Sequence, residues 1–201
     1  MNKNIVIIDY NTGNVSAISN MLYRIGEKPI ISNKYKVIDD ADIIILPGVG
    51  SYDRAIKKLK EKDLIDILKK KIKENTKILG ICLGMQILCN GSEEGKEEGL
   101  KVFDITCKSF DLKNTSNIFM GWSDIKVVRD INDFKFLNKS KFYFLHRYFF
   151  PIHKDYSIAL TKNNIEFSSF VRKDNIFGVQ FHPEKSHNFG INFFKNFINL
   201  R

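Results

Sequence analysis

Hydrophobic residues in the first part of the chain form short continuous runs, separated by stretches with helical spacing. The runs IVIID (5–9), DIIILPG (42–48) and KILGI (77–81) predict buried strands. Residues 15–25 carry apolar positions at helical spacing, and this pattern stops at Gly26. Continuous apolar strands that alternate with helices are typical of a parallel sheet covered on both faces. We therefore predict an α/β fold with an open, mainly parallel twisted sheet and helices on both faces.

The second part of the chain has a different pattern, with short strand-like segments rich in Phe, Val and Ile. These segments lie at 100–110, 123–129, 141–150, 156–160, 165–171 and 175–181. An amphipathic helix is predicted at 188–200. The length of 201 residues suits one well-packed domain, and neither a Gly/Ser-rich linker nor a fixed-period repeat divides the chain. We expect a single domain over 1–201.

Charge and composition exclude several classes of function. The net charge is +9, and much of the excess lies in a lysine-rich helical region at 57–75, which we interpret as a solvated helix face. A nucleic-acid site usually also brings arginines and interleaved aromatic residues, which this region lacks, so nucleic-acid binding remains an alternative based on net charge alone. No apolar run approaches the roughly 20 residues of a membrane span, and the run at 5–8 is too short for a signal-peptide core. We expect a soluble, cytoplasmic protein with no membrane partner.

Cys82 is the first candidate for chemistry. It directly follows the predicted strand 77–81, and Gly80 and Gly84 flank it at two residues on each side. Small flanking residues allow a sharp strand-to-helix turn that presents a nucleophile, and the following helix start favours a thiolate and can bind an oxyanion. The alternative is a buried structural cysteine beside coincidental glycines, and this motif alone does not decide between them.

The other cysteines, Cys89 and Cys107, bring the total to three, with no C-x-x-C pair. This count predicts neither a disulfide framework nor a zinc site. We expect both to be core thiols, and we expect no metal and no cofactor.

A cysteine nucleophile needs a base, and the base needs an orienting group. The segment GVQFHPEKS (178–186) offers His182 and Glu184, which point to the same side of an extended chain. A carboxylate in that position can fix the imidazole tautomer. One alternative is a surface histidine beside a solvated glutamate. Another is a metal site that adds His187, although it leaves the Cys82 turn unexplained.

Several segments together resemble class I glutamine amidotransferases of the triad type, and most of all the glutaminase subunit of imidazole glycerol phosphate synthase. They are DYNTGN (9–14), LPGVGSY (46–52), GICLGMQ (80–86), MGW (120–122), YFLHRY (143–148) and GVQFHPEKS (178–186). The resemblance extends over nearly the whole chain. It implies that Cys82 attacks the side-chain amide of L-glutamine, that His182 moves the proton and that Glu184 orients His182. Ammonia and glutamate would then be released through a thioester.

The resemblance also implies the surroundings of this triad. The oxyanion hole would use the N–H of Leu83 and a second N–H at Val49 or Gly50. The glutamine would be bound by Gln86, Arg147 and Tyr148. The ammonia would pass to a TIM-barrel cyclase subunit in a heterodimer, for histidine biosynthesis. Met120 and Trp122 would face that partner, although Trp122 could instead fill the core.

Two stretches depart from the pattern of the family. Residues 118–123 read IFMGWS, where the family usually has Pro-His before Met-Gly-Trp and Asn after it. Residues 146–148 read His-Arg-Tyr, where the family usually has His-Ser-Tyr. One alternative is therefore a diverged copy that supplies ammonia to a sugar-modifying amidotransferase in surface-glycan biosynthesis. A second is a catalytically idle interaction module, against which the intact Cys82, His182 and Glu184 argue.

Overall fold

Thirteen strands and six α-helices make up the computed structural model in the part of the chain that it describes, which is residues 3–110, 118–129 and 132–200. The strands are β1 (Ile5–Ile8), β2 (Ile30–Ser32), β3 (Ile43–Leu46), β4 (Lys77–Ile81), β5 (Cys89–Ser92), β6 (Phe103–Ser109), β7 (Phe119–Asp124), β8 (Lys126–Val127), β9 (Lys141–His146), β10 (Tyr148–Phe149), β11 (Ser157–Asn163), β12 (Ile165–Lys173) and β13 (Ile176–Val179). The helices are α1 (Val15–Arg24), α2 (Tyr35–Asp39), α3 (Tyr52–Glu61), α4 (Leu64–Lys73), α5 (Leu83–Ile87) and α6 (His187–Asn199), with 3₁₀ helices at Asn132–Lys139 and Pro183–Lys185.

The central sheet has eight strands in the order β2-β1-β3-β4-β13-β12-β11-β8. The pairs from β2 through to β13 are parallel, and the remaining three strands continue the sheet in antiparallel pairing. Two smaller sheets lie beside it, the three-stranded β10-β6-β5 sheet and the two-stranded antiparallel β7-β9 sheet. The parallel part comes from the apolar runs separated by helices, and the antiparallel part comes from the closely spaced short strands of the second half.

Helices cover both faces of the central sheet. In β1, Ile5 and Ile7 belong to the hydrophobic cluster that includes residues of α1 and α6, whereas Val6 and Ile8 belong to the cluster that includes residues of α3, α4 and α5. Alternation of side chains along a strand explains why two apolar faces result from one continuous apolar run. The predicted fold class is therefore confirmed. In the described ranges, no helix is both long and apolar enough to cross a membrane.

The structure corrects two element boundaries. The lysine-rich stretch 57–75 contains the end of one helix and all of another, because Asp63 adopts a left-handed backbone (φ 55°) between α3 and α4. The segment 141–150, predicted as one strand, divides at Arg147 into β9 and β10, which pair with β7 and β6 respectively. Each half of this segment pairs with a different strand, and the periodicity of the sequence does not show which strands pair.

The glycines around Cys82 lie where backbones meet. A Cβ built on Gly84 would be 1.9 Å from the carbonyl oxygen of Leu46 at the end of β3. A Cβ on Gly80 would be 2.7 Å from the carbonyl group of Gly84, across the turn. Both close approaches involve main-chain atoms, which cannot rotate away as a side chain can. The tight turn inferred from the sequence is therefore present.

We expect Gly84→Ala to reduce the free energy of unfolding by about 1–3 kcal/mol or more, because overpacking against fixed atoms carries this cost. Gly91→Ala is the matched control, since its Cβ would meet nothing closer than 3.9 Å. A change within ~0.5 kcal/mol is expected for this control. Denaturant unfolding followed by circular dichroism measures both variants. Equal stabilities of the two variants would contradict the packing described for the turn.

Candidate active site

The loops that follow β1, β3 and β4 converge at one edge of the sheet. The hydroxyl of Tyr10 donates a 2.5 Å hydrogen bond to the carbonyl of Pro47. A Cβ on Gly13 would be 2.7 Å from the Pro47 ring, and one on Gly48 would be 2.7 Å from the backbone nitrogen of Gly84. The three loops are thus in direct contact, at the carboxyl ends of parallel strands where ligands of such sheets bind.

Cys82 is held in a strained backbone conformation between β4 and α5. Its φ and ψ angles are 53° and −107°, a region that side-chain-bearing residues rarely adopt. Its N–H donates a 2.7 Å hydrogen bond to the carbonyl of Val179 in β13, which ties the turn to the neighbouring strand. Strain of this kind costs about 1–3 kcal/mol and clusters at functional sites. Cys82 also precedes the first turn of α5. Its carbonyl oxygen accepts hydrogen bonds from the N–H groups of Met85 and Gln86, which leaves the N–H groups of Leu83 and Gly84 without a partner inside the helix.

His182 and Glu184 form a buried pair beside this turn. The His182 Nδ1 and the Glu184 Oε1 are 2.8 Å apart, and the two side chains are 1% and 2% exposed. Because the carboxylate accepts a hydrogen bond from Nδ1, the other ring nitrogen, Nε2, remains for proton transfer. That nitrogen is buried and forms no hydrogen bond within the protein's described residues. The backbone at His182 is held by β9, because the N–H of His182 donates a 2.8 Å hydrogen bond to the carbonyl of Tyr143.

The electrostatic field of the site favours a charged imidazole. Burial alone would lower the pKa of His182, but the negative charges of Cys82 and Glu184 outweigh burial and raise this pKa from 6.5 to about 10. The site therefore favours a protonated His182 beside Cys82. The thiolate is the nucleophilic form of cysteine, and a cationic neighbour is a typical setting of a reactive cysteine.

A cavity of about 240 Å³ lies over Cys82 and His182. Its lining includes all six of the residues that the resemblance assigns to the oxyanion hole and to glutamine binding, namely Val49, Gly50, Leu83, Gln86, Arg147 and Tyr148. It also includes four residues that sequence reasoning missed, namely Glu94, Ile118, Leu145 and His146. Glu184 lies behind His182 and is not part of the cavity wall.

Gln86 has its side-chain amide oriented by the protein. Its Nε2 donates a 2.9 Å hydrogen bond to the carbonyl of Tyr148, and it lies 3.5 Å from the Oε1 of Gln180. Both N–H groups are thus directed at protein oxygens. The carbonyl oxygen of the Gln86 side chain remains as an acceptor for a ligand.

Glu94 places a carboxylate in the cavity. Burial raises its pKa, while a hydrogen bond from the backbone N–H of Tyr52 and the charge of Arg147 act in the opposite direction. Its neighbour Glu93 instead binds Lys108 through an ion pair of 2.8 Å. Nothing in the sequence around these two adjacent glutamates distinguishes the cavity residue from the surface one.

His146 contributes to the wall of the cavity as a neutral residue. Its Nδ1 donates a 2.9 Å hydrogen bond to the carbonyl of Tyr148, and its ring packs among phenylalanines that include Phe110 and Phe167. Burial lowers its pKa from 6.5 to about 3. This hydrogen bond joins the last residue of β9 to the first residue of β10, on either side of Arg147, and so fixes this part of the cavity wall.

The two residues expected to face a partner lie on the exposed side of the β7-β9 sheet. Met120 is 67% exposed and Trp122 is 46% exposed. The Trp122 ring stacks on His187 at 5.5 Å, nearly parallel to it. The interpretation of Trp122 as a core residue is therefore wrong, and His187 packs on an indole ring at this position. By contrast, Cys89 and Cys107 are fully buried thiols, as expected, with their sulfur atoms 3.6 Å apart.

We expect the imidazole of His182 to stay protonated at pH 7 and to lose its proton with a midpoint far above 6.5, near the raised pKa of about 10. Because the pKa of His182 is raised on folding, the contribution of its protonated imidazole to stability is fully present below pH 6.5 and is lost as the pH rises through about 10. Glu184→Gln removes one negative charge and should lower the midpoint. Ring-nitrogen NMR across the pH range measures it, with His146 as the neutral reference in the same spectra. A midpoint at or below 6.5 in the unmodified protein would contradict the charge assignment.

Comparison with known proteins agrees with the motifs. A family model described as "Glutamine amidotransferase class-I" matches residues 6–200. The protein named "Imidazole glycerol phosphate synthase subunit HisH 2" from Methanococcus maripaludis is 47% identical over 199 residues, which are 96% of this chain and 98% of that protein. The protein of the same name from Pseudomonas aeruginosa is 39% identical over 205 residues, with 98% and 99% coverage.

Solved structures agree on the fold. The structure of PurLQS from Thermotoga maritima matches with a TM-score of 0.75 at 18% identity, over 99% of both chains. This likeness concerns the fold, whereas the full-length identities above establish the family and confirm the resemblance read from the motifs. The chain therefore belongs to the class I glutamine amidotransferase family and, within it, to the group of the HisH subunits of imidazole glycerol phosphate synthase.

Proposed function

We propose that this chain is the glutaminase subunit of an imidazole glycerol phosphate synthase, which hydrolyses glutamine and passes ammonia to a cyclase subunit for histidine biosynthesis. One observation carries the catalytic part of this proposal. A strained cysteine at a helix start and a buried His182–Glu184 pair meet at the same cavity of about 240 Å³. This arrangement unites a nucleophile, a proton carrier and an orienting carboxylate.

In the first half of the reaction, the Cys82 thiolate attacks the side-chain amide carbon of glutamine. The negative charge moves to the amide oxygen, where the N–H of Leu83 and an N–H of the Val49–Gly50 loop segment would bind it. The His182 imidazolium gives its proton to the amide nitrogen, the C–N bond breaks, and ammonia leaves. A glutamyl thioester on Cys82 and a neutral His182 remain.

In the second half, the neutral His182 takes a proton from a water molecule that attacks the thioester carbon. The same N–H groups bind the second oxyanion, and its collapse breaks the C–S bond. This step restores the Cys82 thiolate and the His182 imidazolium, and the glutamic acid product loses its proton to water. Glu184 keeps Nδ1 hydrogen-bonded throughout, so that Nε2 carries every proton transfer.

The charges of the cavity suit the zwitterionic end of glutamine. Glu94 supplies a carboxylate for the ammonium group, and Arg147 supplies a guanidinium for the carboxylate group, since an Arg–carboxylate pair is strong and directional. The free carbonyl oxygen of the Gln86 side chain adds a further acceptor for the ammonium. Binding at these points would leave the side-chain amide of the substrate to reach Cys82.

An apolar surface adjoins the cavity, and we call it the apolar rim. It consists of five exposed residues, Val49, Ile118, Met120, Trp122 and Leu145. Val49, Ile118 and Leu145 also line the cavity. A partner that covers the rim would bury exposed apolar area and would lie directly over the place where ammonia forms. We therefore assign the rim to the contact with the TIM-barrel cyclase subunit.

A second candidate function concerns the ammonia acceptor. The stretch 118–123 departs from the pattern that the resemblance expects, and its residues Ile118, Met120 and Trp122 are exposed on the proposed partner surface. This departure is the observation behind a diverged copy that serves a sugar-modifying amidotransferase in surface-glycan biosynthesis. The glutaminase chemistry is the same in both cases, and only the acceptor differs.

The glutaminase reaction should separate from the use of ammonia. In the complex with the cyclase, Cys82→Ala should abolish glutamine-dependent product formation and leave ammonium-dependent product formation intact, because only ammonia generation is lost. Cys89→Ala is the matched control, a buried thiol outside the cavity, and should retain glutamine-dependent activity. A glutamine-analogue alkylator should label Cys82 once, as shown by mass spectrometry.

Two outcomes would count against the proposal. Label on Cys89 or Cys107 would refute the assignment of the nucleophile. Absence of product with the cyclase, together with product from a sugar-modifying amidotransferase under the same conditions, would contradict the role in histidine biosynthesis and support the second candidate.

We expect Trp122→Ala to weaken binding to the cyclase by about 2 kcal/mol or more, as is typical for a central aromatic anchor. The melting temperature should stay nearly unchanged, because the side chain is 46% exposed. Tyr23→Ala is the matched control, since Tyr23 is an aromatic residue of α1 that is 56% exposed and lies outside the rim. Calorimetric titration with the cyclase and thermal unfolding measure the two effects. Unchanged affinity for the variant at Trp122 would exclude the anchor role.

A further inference from the structure

Gln180 is a fully buried polar residue that the mechanism above does not use. It directly follows β13 and precedes His182 by two positions, and its exposure is 0%. Its backbone N–H donates a 3.0 Å hydrogen bond to the carbonyl of Ser169 in β12. It is absent from the lining of the cavity. Any role in the reaction must therefore act through its neighbours.

The side-chain amide of Gln180 lies between the nucleophile and a residue of the glutamine site. Its Nε2 is 3.6 Å from the Cys82 Sγ, and its Oε1 is 3.5 Å from the Gln86 Nε2. The orientation of this amide follows from its neighbours. Because Gln86 Nε2 also donates to the carbonyl of Tyr148, it must present N–H to Gln180, which turns the Gln180 oxygen toward Gln86 and its nitrogen toward the sulfur.

The contacts of the Cys82 sulfur differ in which protonation state they favour. The carbonyl of Leu145, at 3.8 Å, can accept only from the neutral thiol. The N–H of Gln180 can donate to the thiolate, at a distance that suits the large radius of sulfur. A hydrogen bond to the charged form of a group favours that form.

Gln180 differs from the titratable groups near the sulfur, because it is a hydrogen-bond donor that carries no charge. His182 supplies a positive charge, and Glu184 lies behind it. Tyr10 stays neutral because burial raises its pKa, with a further contribution from the charge of Cys82, and its hydroxyl donates to Pro47. Gln180 is therefore a neutral donor directed at the sulfur.

We propose that Gln180 is a positioning residue that holds the Cys82 thiolate in place by a donated N–H and ties it to Gln86 through the same amide. This inference rests on the proposed function, in which Cys82 is the nucleophile. The two contacts of the Gln180 side-chain amide set the position of the sulfur relative to the glutamine site before any ligand binds. It also stabilises the charged nucleophile without introducing a second titrating group.

The test is the pH profile of Cys82 alkylation by iodoacetamide in the full-length chain, with the label located by mass spectrometry. Gln180→Met keeps the size of the side chain and removes both polar contacts. Loss of a hydrogen bond to a charged group should move the midpoint of alkylation upward by about one to two pH units. Above the new midpoint the rate should return to the wild-type plateau, because the thiolate then forms without help. A purely structural defect would not recover in this way.

Ser169→Ala is the matched control for Gln180→Met. Ser169 lies next to Gln180, its side-chain oxygen is buried, and that oxygen has no hydrogen-bond partner among the described residues. We expect its alkylation midpoint to equal that of the wild type. An unchanged midpoint in folded Gln180→Met would overturn the proposal, whether or not glutamine turnover changes. An equal upward shift in Ser169→Ala would also overturn it, since the effect would then come from local packing.

A measurement on the wild type keeps the test decisive if Gln180→Met does not fold. The side-chain amide resonances of Gln180 should shift as Cys82 ionises, and this shift should vanish in Cys82→Ala. Chemical shifts of the Gln180 side-chain amide that do not change as Cys82 ionises would overturn the proposal. Failure of the proposed function would be recognised separately, as a wild-type chain that gives no glutaminase activity with its partner while these resonances still respond.

Discussion

The close approach of α5 to the end of β3 is the constraint on which the site depends. Gly84 leaves no room for a Cβ beside the carbonyl of Leu46, so the helix start is pressed onto the sheet edge. Between β4 and this helix start, Cys82 adopts a positive φ of 53°. The cost of this strain, about 1–3 kcal/mol, is small against the burial of apolar side chains in clusters on both faces of the sheet. As a result of this turn, Cys82 and Leu83, the first residue of α5, both line the cavity.

Two buried histidines in this site show that burial alone does not decide the charge of a group, because charged partners can outweigh it. His146 and His182 are both nearly inaccessible, yet the pKa of the first falls to about 3 and that of the second rises to about 10. His146 has a carbonyl and aromatic rings around it, so burial dominates. His182 lies between the negative charges of Cys82 and Glu184, which reverse the effect. A buried charged pair is weak evidence for stability, so this arrangement is better explained by reactivity.

The sequence was informative where a feature is local and uninformative where it depends on distant neighbours. Continuous apolar runs identified the buried strands, and the glycines around Cys82 identified the turn. The division of 141–150 at Arg147 depends on pairing with two different strands, and β2 is a short edge strand whose exposed residues give no apolar run. The cavity position of Glu94 depends on contacts with residues far along the chain, such as Tyr52. Local patterns cannot encode such contacts.

The apolar rim and the cavity share one strand, β9. Leu145 is one of the exposed residues of the rim, where it pairs with Met120 of β7, and its carbonyl oxygen is 3.8 Å from the Cys82 sulfur. His146, the next residue, lines the cavity and packs its ring against buried phenylalanines. A partner that covered the rim would therefore contact a residue whose main chain already touches the side chain of Cys82.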